Sequence, residues 1–120
     1  MAFSEKLAAR VRKLLRQRRS VSEKQMFGGL AFLLRGNMCC GVYGEELIIH
    51  LAPEQTDAAL AQPGARVFDL TGRAMKGWIL VGSRGTATAP ALRRWVAIAV
   101  EYAKSLPAKR WRLKLAGAGA

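Results

Sequence analysis

The sequence predicts an α+β fold, namely a single domain with the element order α-β-β-β-α-β-β-α, a five-stranded antiparallel sheet and helices on one of its faces. Three observations support this. Apolar residues recur at helical spacing near both ends of the chain, short apolar runs separated by turn residues fill the middle, and 120 residues suffice for one hydrophobic core. We assign residues 1–108 to the domain and residues 109–120 to a basic C-terminal tail.

The first helix begins after Ser4, whose hydroxyl is placed to cap it. Apolar residues follow on one stripe: Phe3, Leu7, Val11 and Leu14. Arg18 would enter this stripe if the helix continued, so we end the helix near Gln17. The next residues, "RQRRSVSEK", are predicted to form a loop.

A three-stranded meander is predicted over residues 26–51. Gly36 and Asn37 lie between two apolar runs and tolerate positive φ, which favours a two-residue hairpin turn. A second tight turn is expected at "YGEE", with Gly44 at its first central position.

This register places Phe32 opposite Gly41 and Cys39 opposite His50. The helix-covered face then carries Ala31, Leu33, Met38, Cys40, Val42, Leu47, Ile49 and Leu51. The other face carries Leu30, Phe32, Leu34, Cys39, Tyr43, Glu46, Ile48 and His50. Such a mixed face suits partial exposure to water or contact with a second subunit, so a homodimer through it is one expectation.

The remaining elements are predicted from the capping, proline and glycine residues at their ends. "APEQTDAALAQPGA" is typical of a short helix, and "RVFDL" and "GWILVG" are typical of two more strands. The closing helix is predicted to be capped by Thr88, to hold Pro90 in its first turn, and to end at Pro107.

The charge balance is the outlying feature of the composition. Lys and Arg outnumber Asp and Glu 20 to 8, for a formal net charge of +12, which favours a polyanionic partner such as nucleic acid. The candidate nucleic-acid-binding residues are Arg12, Lys13, Arg16, Arg19, Lys109, Arg110, Trp111, Arg112 and Lys114. We expect such contact to be electrostatic and to show little sequence preference. The alternative is a solvated helix face plus a basic terminus.

The sequence gives little support for a catalytic, metal or cofactor site. Cys39 beside His50 has the minimum for an activated nucleophile, but no third group orients the histidine, so catalysis there is the least favoured hypothesis and no catalytic residue is assigned. No metal-ligand spacing and no cofactor motif is present, so neither a metal nor a cofactor is expected. No apolar run reaches the length of a membrane span. Two adjacent cysteines on opposite strand faces favour reduced thiols in the cytoplasm.

Three segments carry a family resemblance: "KQMFGGLAFLLRGNMCCGV", "PGARVFDLTGRAMKGWILV" and "LRRWVAIAVEYAKSLPAK". Together, over roughly residues 8–109, they resemble the TfoX N-terminal domain family, which opens the TfoX/Sxy competence regulators and also occurs as a stand-alone protein. The resemblance implies an α+β domain with an antiparallel sheet and a bacterial cytoplasmic protein. Motif residues with structural interpretations are Met26, Phe27, Gly28, Gly29, Gly36, Asn37, Met38, Gly41, Gly72, Met75, Gly77 and Trp78.

Within the same motif, Arg73 and Lys76 lie on the "TGRAMKGW" loop, where a solvated turn is favoured and an anion site is the alternative. For the whole chain, a non-catalytic regulatory or interaction module with an unidentified protein partner ranks first. Sequence-nonspecific nucleic-acid binding ranks second, and a small enzyme using Cys39 ranks third.

Overall fold

The computed structural model describes residues 3–16, 21–26, 28–68 and 77–107. In chain order, its elements are α1 (Glu5–Leu15), β1 (Val21–Met26), β2 (Gly29–Leu34), β3 (Asn37–Tyr43), β4 (Glu46–His50), a 3-10 turn (Pro53–Gln55), α2 (Thr56–Leu60), β5 (Ala65–Val67), β6 (Trp78–Val81), α3 (Ser83–Thr86) and α4 (Ala89–Ser105).

The described strands form one sheet in the order β1-β2-β3-β4-β6-β5, and every neighbouring pair is antiparallel. The α+β class and the antiparallel sheet are thus confirmed, but the described residues form six strands instead of the predicted five. The additional strand, β1, occupies part of the segment predicted as a loop. It is an edge strand whose residues from Ser22 to Gln25 are exposed, so it has no apolar alternation to reveal it. The short helix α3 also adds to the predicted element order.

The first hairpin turns one residue earlier than predicted. Its central residues are Arg35 and Gly36, with φ of 54° and 85°, and Leu34 pairs directly with Asn37. Two consecutive residues with positive φ match the turn geometry that suits the twist of a two-residue hairpin. The prediction of Gly36 and Asn37 as turn residues was wrong because an arginine occupies a position that usually favours glycine, asparagine or aspartate.

A bulge then changes the register of β3 against β2. Leu33 pairs with Met38, but Phe32 pairs with Cys40, which leaves Cys39 as an extra residue in β3. The predicted pairing of Phe32 with Gly41 is therefore wrong by one residue.

A shift of one residue moves every side chain of a strand to the opposite face. In β2 the predicted faces are inverted: Phe32 contributes to the core under the helices, whereas Leu33 lies on the other side. Leu33 and Ile49, predicted to share a face, therefore lie on opposite faces. The second turn was predicted correctly, since Val42 pairs with Leu47 and Gly44 has a φ of 59°.

The main core lies between the sheet and the described helices. Its helix residues are Leu7, Ala8, Val11, Leu15, Ala59, Leu92, Trp95, Val96, Ala99, Val100 and Ala103. The predicted caps are confirmed, because the Ser4 hydroxyl accepts from the Leu7 amide at 3.1 Å and the Thr88 hydroxyl accepts from the Ala91 amide at 3.2 Å. Each fully buried Leu-sized side chain contributes about 1.5–3 kcal/mol. Within the described ranges, no helix has the length and apolarity that crossing a membrane requires.

Candidate interaction site

The face of the sheet opposite this core is the site of interest; we term it the helix-free face, because no described helix residue belongs to its apolar cluster. Ile48, Phe68 and Leu80 form the buried centre of the cluster. Half-buried side chains surround that centre, and four of them define what we term the sheet patch: Met38, Tyr43, His50 and Trp78.

His50 and Trp78 form the stacked part of the sheet patch. The two residues are paired across β4 and β6, and their rings stack with centroids 3.9 Å apart and planes 10° apart. Tyr102 of α4 meets the His50 ring edge-on, with centroids 5.0 Å apart. The Nδ1 atom of His50 lies 3.2 Å from the carbonyl oxygen of Met38. Because a carbonyl oxygen only accepts, this contact assigns the proton to Nδ1.

Backbone contacts at Gly77 fix where Trp78 begins its strand. Gly77 has a φ of 87°, and its amide donates to the buried Thr56 hydroxyl at 2.9 Å. Its carbonyl accepts from the Leu51 amide at 2.9 Å. An added Cβ at Gly77 would lie 3.0 Å from the Leu51 carbonyl oxygen, so both the conformation and the space favour glycine. The positive φ and the close Leu51 carbonyl oxygen therefore explain why the motif has a glycine at position 77.

The sheet patch has the composition of a protein interface. Tyr, Trp and Met are enriched at such interfaces. Tyr and Trp offer a large contact area at a modest cost in conformational entropy, and the flexible Met side chain adapts to the shape of a partner. The exposed Arg66 and the half-buried Glu46 border the patch with a two-point ion pair of 2.8 and 2.5 Å. An apolar centre with polar groups at its margin is the usual anatomy of a docking surface.

The two thiols lie in the core under the helices, at 2% exposure for Cys39 and 0% for Cys40. The side-chain hydrogen bond with Cys39, together with complete burial, raises the pKa of the Cys40 thiol well above its ordinary value. The expectation that the adjacent cysteines point to opposite faces was wrong, because the bulge at Cys39 places both in one core. The predicted Cys39–His50 pair is not formed, since His50 stacks on Trp78 at the other face.

Metal-ligating side chains are dispersed. Among the described residues, no three His, Cys, Asp or Glu side chains lie close enough together to hold a metal ion.

The predicted basic surface is described only on α1. Arg12, Lys13 and Arg16 are all exposed there. Arg12 forms a two-point contact with Glu23 of β1, at 2.6 and 2.9 Å, and this hydrogen bonding lowers the pKa of the Glu23 carboxyl and raises the pKa of Arg12. Arg12 and Arg16 also line a hollow of about 360 Å³ between α1 and β1. One of the three described cations is therefore already paired.

Several predicted positions lie outside the described residues. They are Arg19, Lys109, Arg110, Trp111, Arg112 and Lys114 of the basic set, Arg73 and Lys76 of the anion loop, and Phe27, Gly72 and Met75 of the motif.

Three motif residues that the structure describes, Met26, Gly28 and Gly41, lie at the ends or close contacts of sheet strands. Gly28 has a φ of 78° before the buried Gly29 opens β2. A Cβ on Gly41 would lie 2.6 Å from the Leu30 carbonyl oxygen, which explains the glycine by close approach. Met26 ends β1.

Sequence reasoning placed Tyr43 and His50 on the mixed face correctly but treated Trp78 only as a packing residue. The stacking of Trp78 on His50 depends on the pairing of β6 with β4, and no local pattern in the sequence encodes that pairing.

Comparison with known proteins identifies one family. Residues 13–103 match the sequence model of the TfoX N-terminal domain. Comparison with curated proteins gives no match, and comparison with solved structures gives none.

Proposed function

Because the chain belongs to the TfoX N-terminal domain family, we propose that it is a non-catalytic regulatory module that binds a partner protein through the sheet patch. The observation that carries this proposal is the position of Tyr43 and Trp78. Both are half-buried around the apolar centre of the helix-free face, where each aromatic side chain keeps an exposed part for a partner to cover.

The placement of the reactive groups supports binding over catalysis. Both thiols are buried in the core, and the raised pKa of Cys40 disfavours the thiolate that a nucleophile requires at that residue. His50 is engaged by Trp78, Tyr102 and the Met38 carbonyl. These contacts hold the ring as part of a surface.

The partner is either a second copy of the chain or a different protein of the same compartment. The family resemblance and the reduced thiols favour the bacterial cytoplasm as that compartment. Light scattering of the purified chain separates the two partners, because a homodimer through the sheet patch doubles the mass and a Tyr43→Ala substitution restores the monomer.

The experiment that tests the function is a capture of partners from a lysate of the native cell, performed with and without nuclease treatment. We expect a protein partner that persists after nuclease treatment. Capture that disappears with the nuclease would contradict the proposal and favour the second candidate.

That second candidate is nucleic-acid binding through α1. The exposed side chains of Lys13 and Arg16 make no ion pair with the described residues, and the net charge is +12. Phosphates would supply the affinity, so binding should weaken steeply with salt. Fluorescence anisotropy at low salt tests it, and an absence of binding at about tens of micromolar, a concentration within the range of nonspecific dissociation constants, rejects it.

A further inference from the structure

A groove separates α2 from α4 on the helix side of the molecule. It consists of two adjoining hollows of about 220 and 480 Å³, and both are lined by Gln55, Arg94 and Ile98. We term it the α2–α4 groove. Its inner hollow lies on the side of the sheet away from the sheet patch, and Tyr102, which meets the His50 ring, lines the outer hollow.

The inner hollow is mainly apolar. Its lining includes the core residues Leu51, Ala59 and Trp95, and Ala58 of α2 contributes only a methyl group to the wall. Small side chains along the walls leave space where larger ones would close the groove. Apolar lining with a few polar groups is typical of sites for small molecules.

Arg94 supplies the positive charge at the junction of the two hollows. Its side chain is exposed and makes no hydrogen bond or ion pair with any described residue. The carboxylate of Glu101, at the outer hollow, lies 3.6 Å from the ammonium group of Lys104. The cation without a partner at the groove is therefore Arg94, as far as the described residues extend.

We propose that the α2–α4 groove binds an amphipathic carboxylate, with the carboxylate paired to the Arg94 guanidinium and the apolar chain lying over Trp95 and Ile98. A guanidinium binds a carboxylate through two parallel hydrogen bonds, which gives this head group an advantage over an alcohol or an ammonium. From Arg94 to Tyr102, α4 extends about 12 Å, a length that an extended medium-chain acid such as decanoate reaches. This inference goes beyond the proposed partner binding, because it concerns a small-molecule groove that meets the sheet patch only at Tyr102.

The test is a titration of the isotopically labelled full chain with decanoate below its micellar concentration, followed by nuclear magnetic resonance. We expect saturable shifts of the amides of Gln55 and Ile98. Decanol should bind about tenfold more weakly, because it lacks the charge-assisted contact. Decyltrimethylammonium should bind more weakly still.

Three substitutions sharpen the test. Arg94→Gln should weaken decanoate about tenfold, whereas Arg93→Gln, an exposed neighbour outside the groove lining that removes the same charge, should leave the affinity unchanged. Ala58→Phe should fill the inner hollow beside Trp95 and weaken the binding of decanoate. Because all three positions are exposed or half-exposed, thermal melts should confirm that each variant folds.

Three results would overturn the proposal: decanol binding as tightly as decanoate, equal effects of the two arginine substitutions, or shifts spread over the surface without saturation. Failure here leaves the sheet patch untouched, since Arg94→Gln is not expected to alter partner capture.

Discussion

The side-chain amide of Asn37 donates a hydrogen bond of 2.7 Å to the carbonyl oxygen of Pro107. Asn37 is the first residue of β3, Pro107 follows the end of α4, and 70 residues separate them in the chain. Asn37 is only 5% exposed. The residue predicted as part of a turn therefore fastens the C-terminal end of α4 to the sheet, close to His50 and Tyr102.

Replacing Asn37 by alanine should lower the free energy of unfolding by about 1–3 kcal/mol, because the Pro107 carbonyl loses its buried donor. Urea denaturation measures the loss. Asn37→Asp is the matched control, since the carboxylate keeps the shape but cannot donate when ionised. If the aspartate variant were as stable as the original protein at neutral pH, the amide would not be the donor that holds α4.

Substitution by alanine should destabilise the fold more at Gly41 than at Gly44, three residues later in the chain. Gly41→Ala should destabilise the fold by about 2–3 kcal/mol, because the new Cβ meets the backbone oxygen of Leu30. Gly44→Ala has open space and should cost only about 1–2 kcal/mol, the penalty of a positive φ. Thermal denaturation of both variants checks the order, and a larger loss for Gly44 would contradict the β2–β3 register.

The stability of the protein should fall at alkaline pH through Cys40. Its pKa is raised in the folded state, so the folded protein retains a proton that the unfolded chain releases above the ordinary thiol value of 9.0. The contribution is fully present below that value and is lost at about 1.4 kcal/mol per pH unit above it. Denaturation midpoints of the original protein and Cys40→Ala, measured at several pH values above 9.0, should therefore converge. Parallel curves would show that the thiol does not contribute.

Glu23 should limit the binding of polyanions to α1. The contact with Arg12 is largely exposed, with 48% and 35% of the two side chains accessible, so Glu23→Gln should cost less than about 1 kcal/mol of stability. The same change frees the Arg12 guanidinium. If α1 and the basic tail together bind nucleic acid and engage about four to six phosphates, we expect a slope of roughly −3 to −5 in log affinity against log salt for the original protein, and a slope steeper by about 0.9 for the variant. Anisotropy titrations across salt concentrations measure both slopes, and an unchanged slope would exclude Arg12 from the contact.

The sequence predicted the helices well because their signals are local. Ser4 and Thr88 occupy cap positions next to periodic apolar residues, and the structure confirms both. The sequence did not reveal β1 because it is an edge strand. Charged and polar residues such as Glu23 and Lys24 stand there in place of the apolar residues of an inner strand.

The first hairpin shows why register is harder to predict. Arg35 adopts a positive φ that a local preference would not assign to it, and the bulge at Cys39 then compensates within the next strand. Together these two features exchange the faces of β2 and move Met38, predicted on the helix-covered face, to the helix-free face. They leave β3 and β4 in their predicted pairing at Val42 and Leu47.

The candidate sites were predictable only in part. Tyr43 and His50 could be assigned to one face from strand alternation, but the stack on Trp78 required the pairing of distant strands. The α2–α4 groove required the packing of two helices, which no single segment encodes.

The most direct test of the proposed function is the affinity of the sheet patch for the captured partner protein, compared between Tyr43→Ala and Leu60→Ala. Leu60 is the matched control, a half-buried side chain of α2 that packs against the other core. We expect a loss of about 2 kcal/mol, roughly 30-fold in affinity, for Tyr43→Ala, because an aromatic anchor leaves the interface. We expect no loss for Leu60→Ala. Unchanged affinity for Tyr43→Ala, or equal losses for both variants, would contradict the sheet patch as the docking surface.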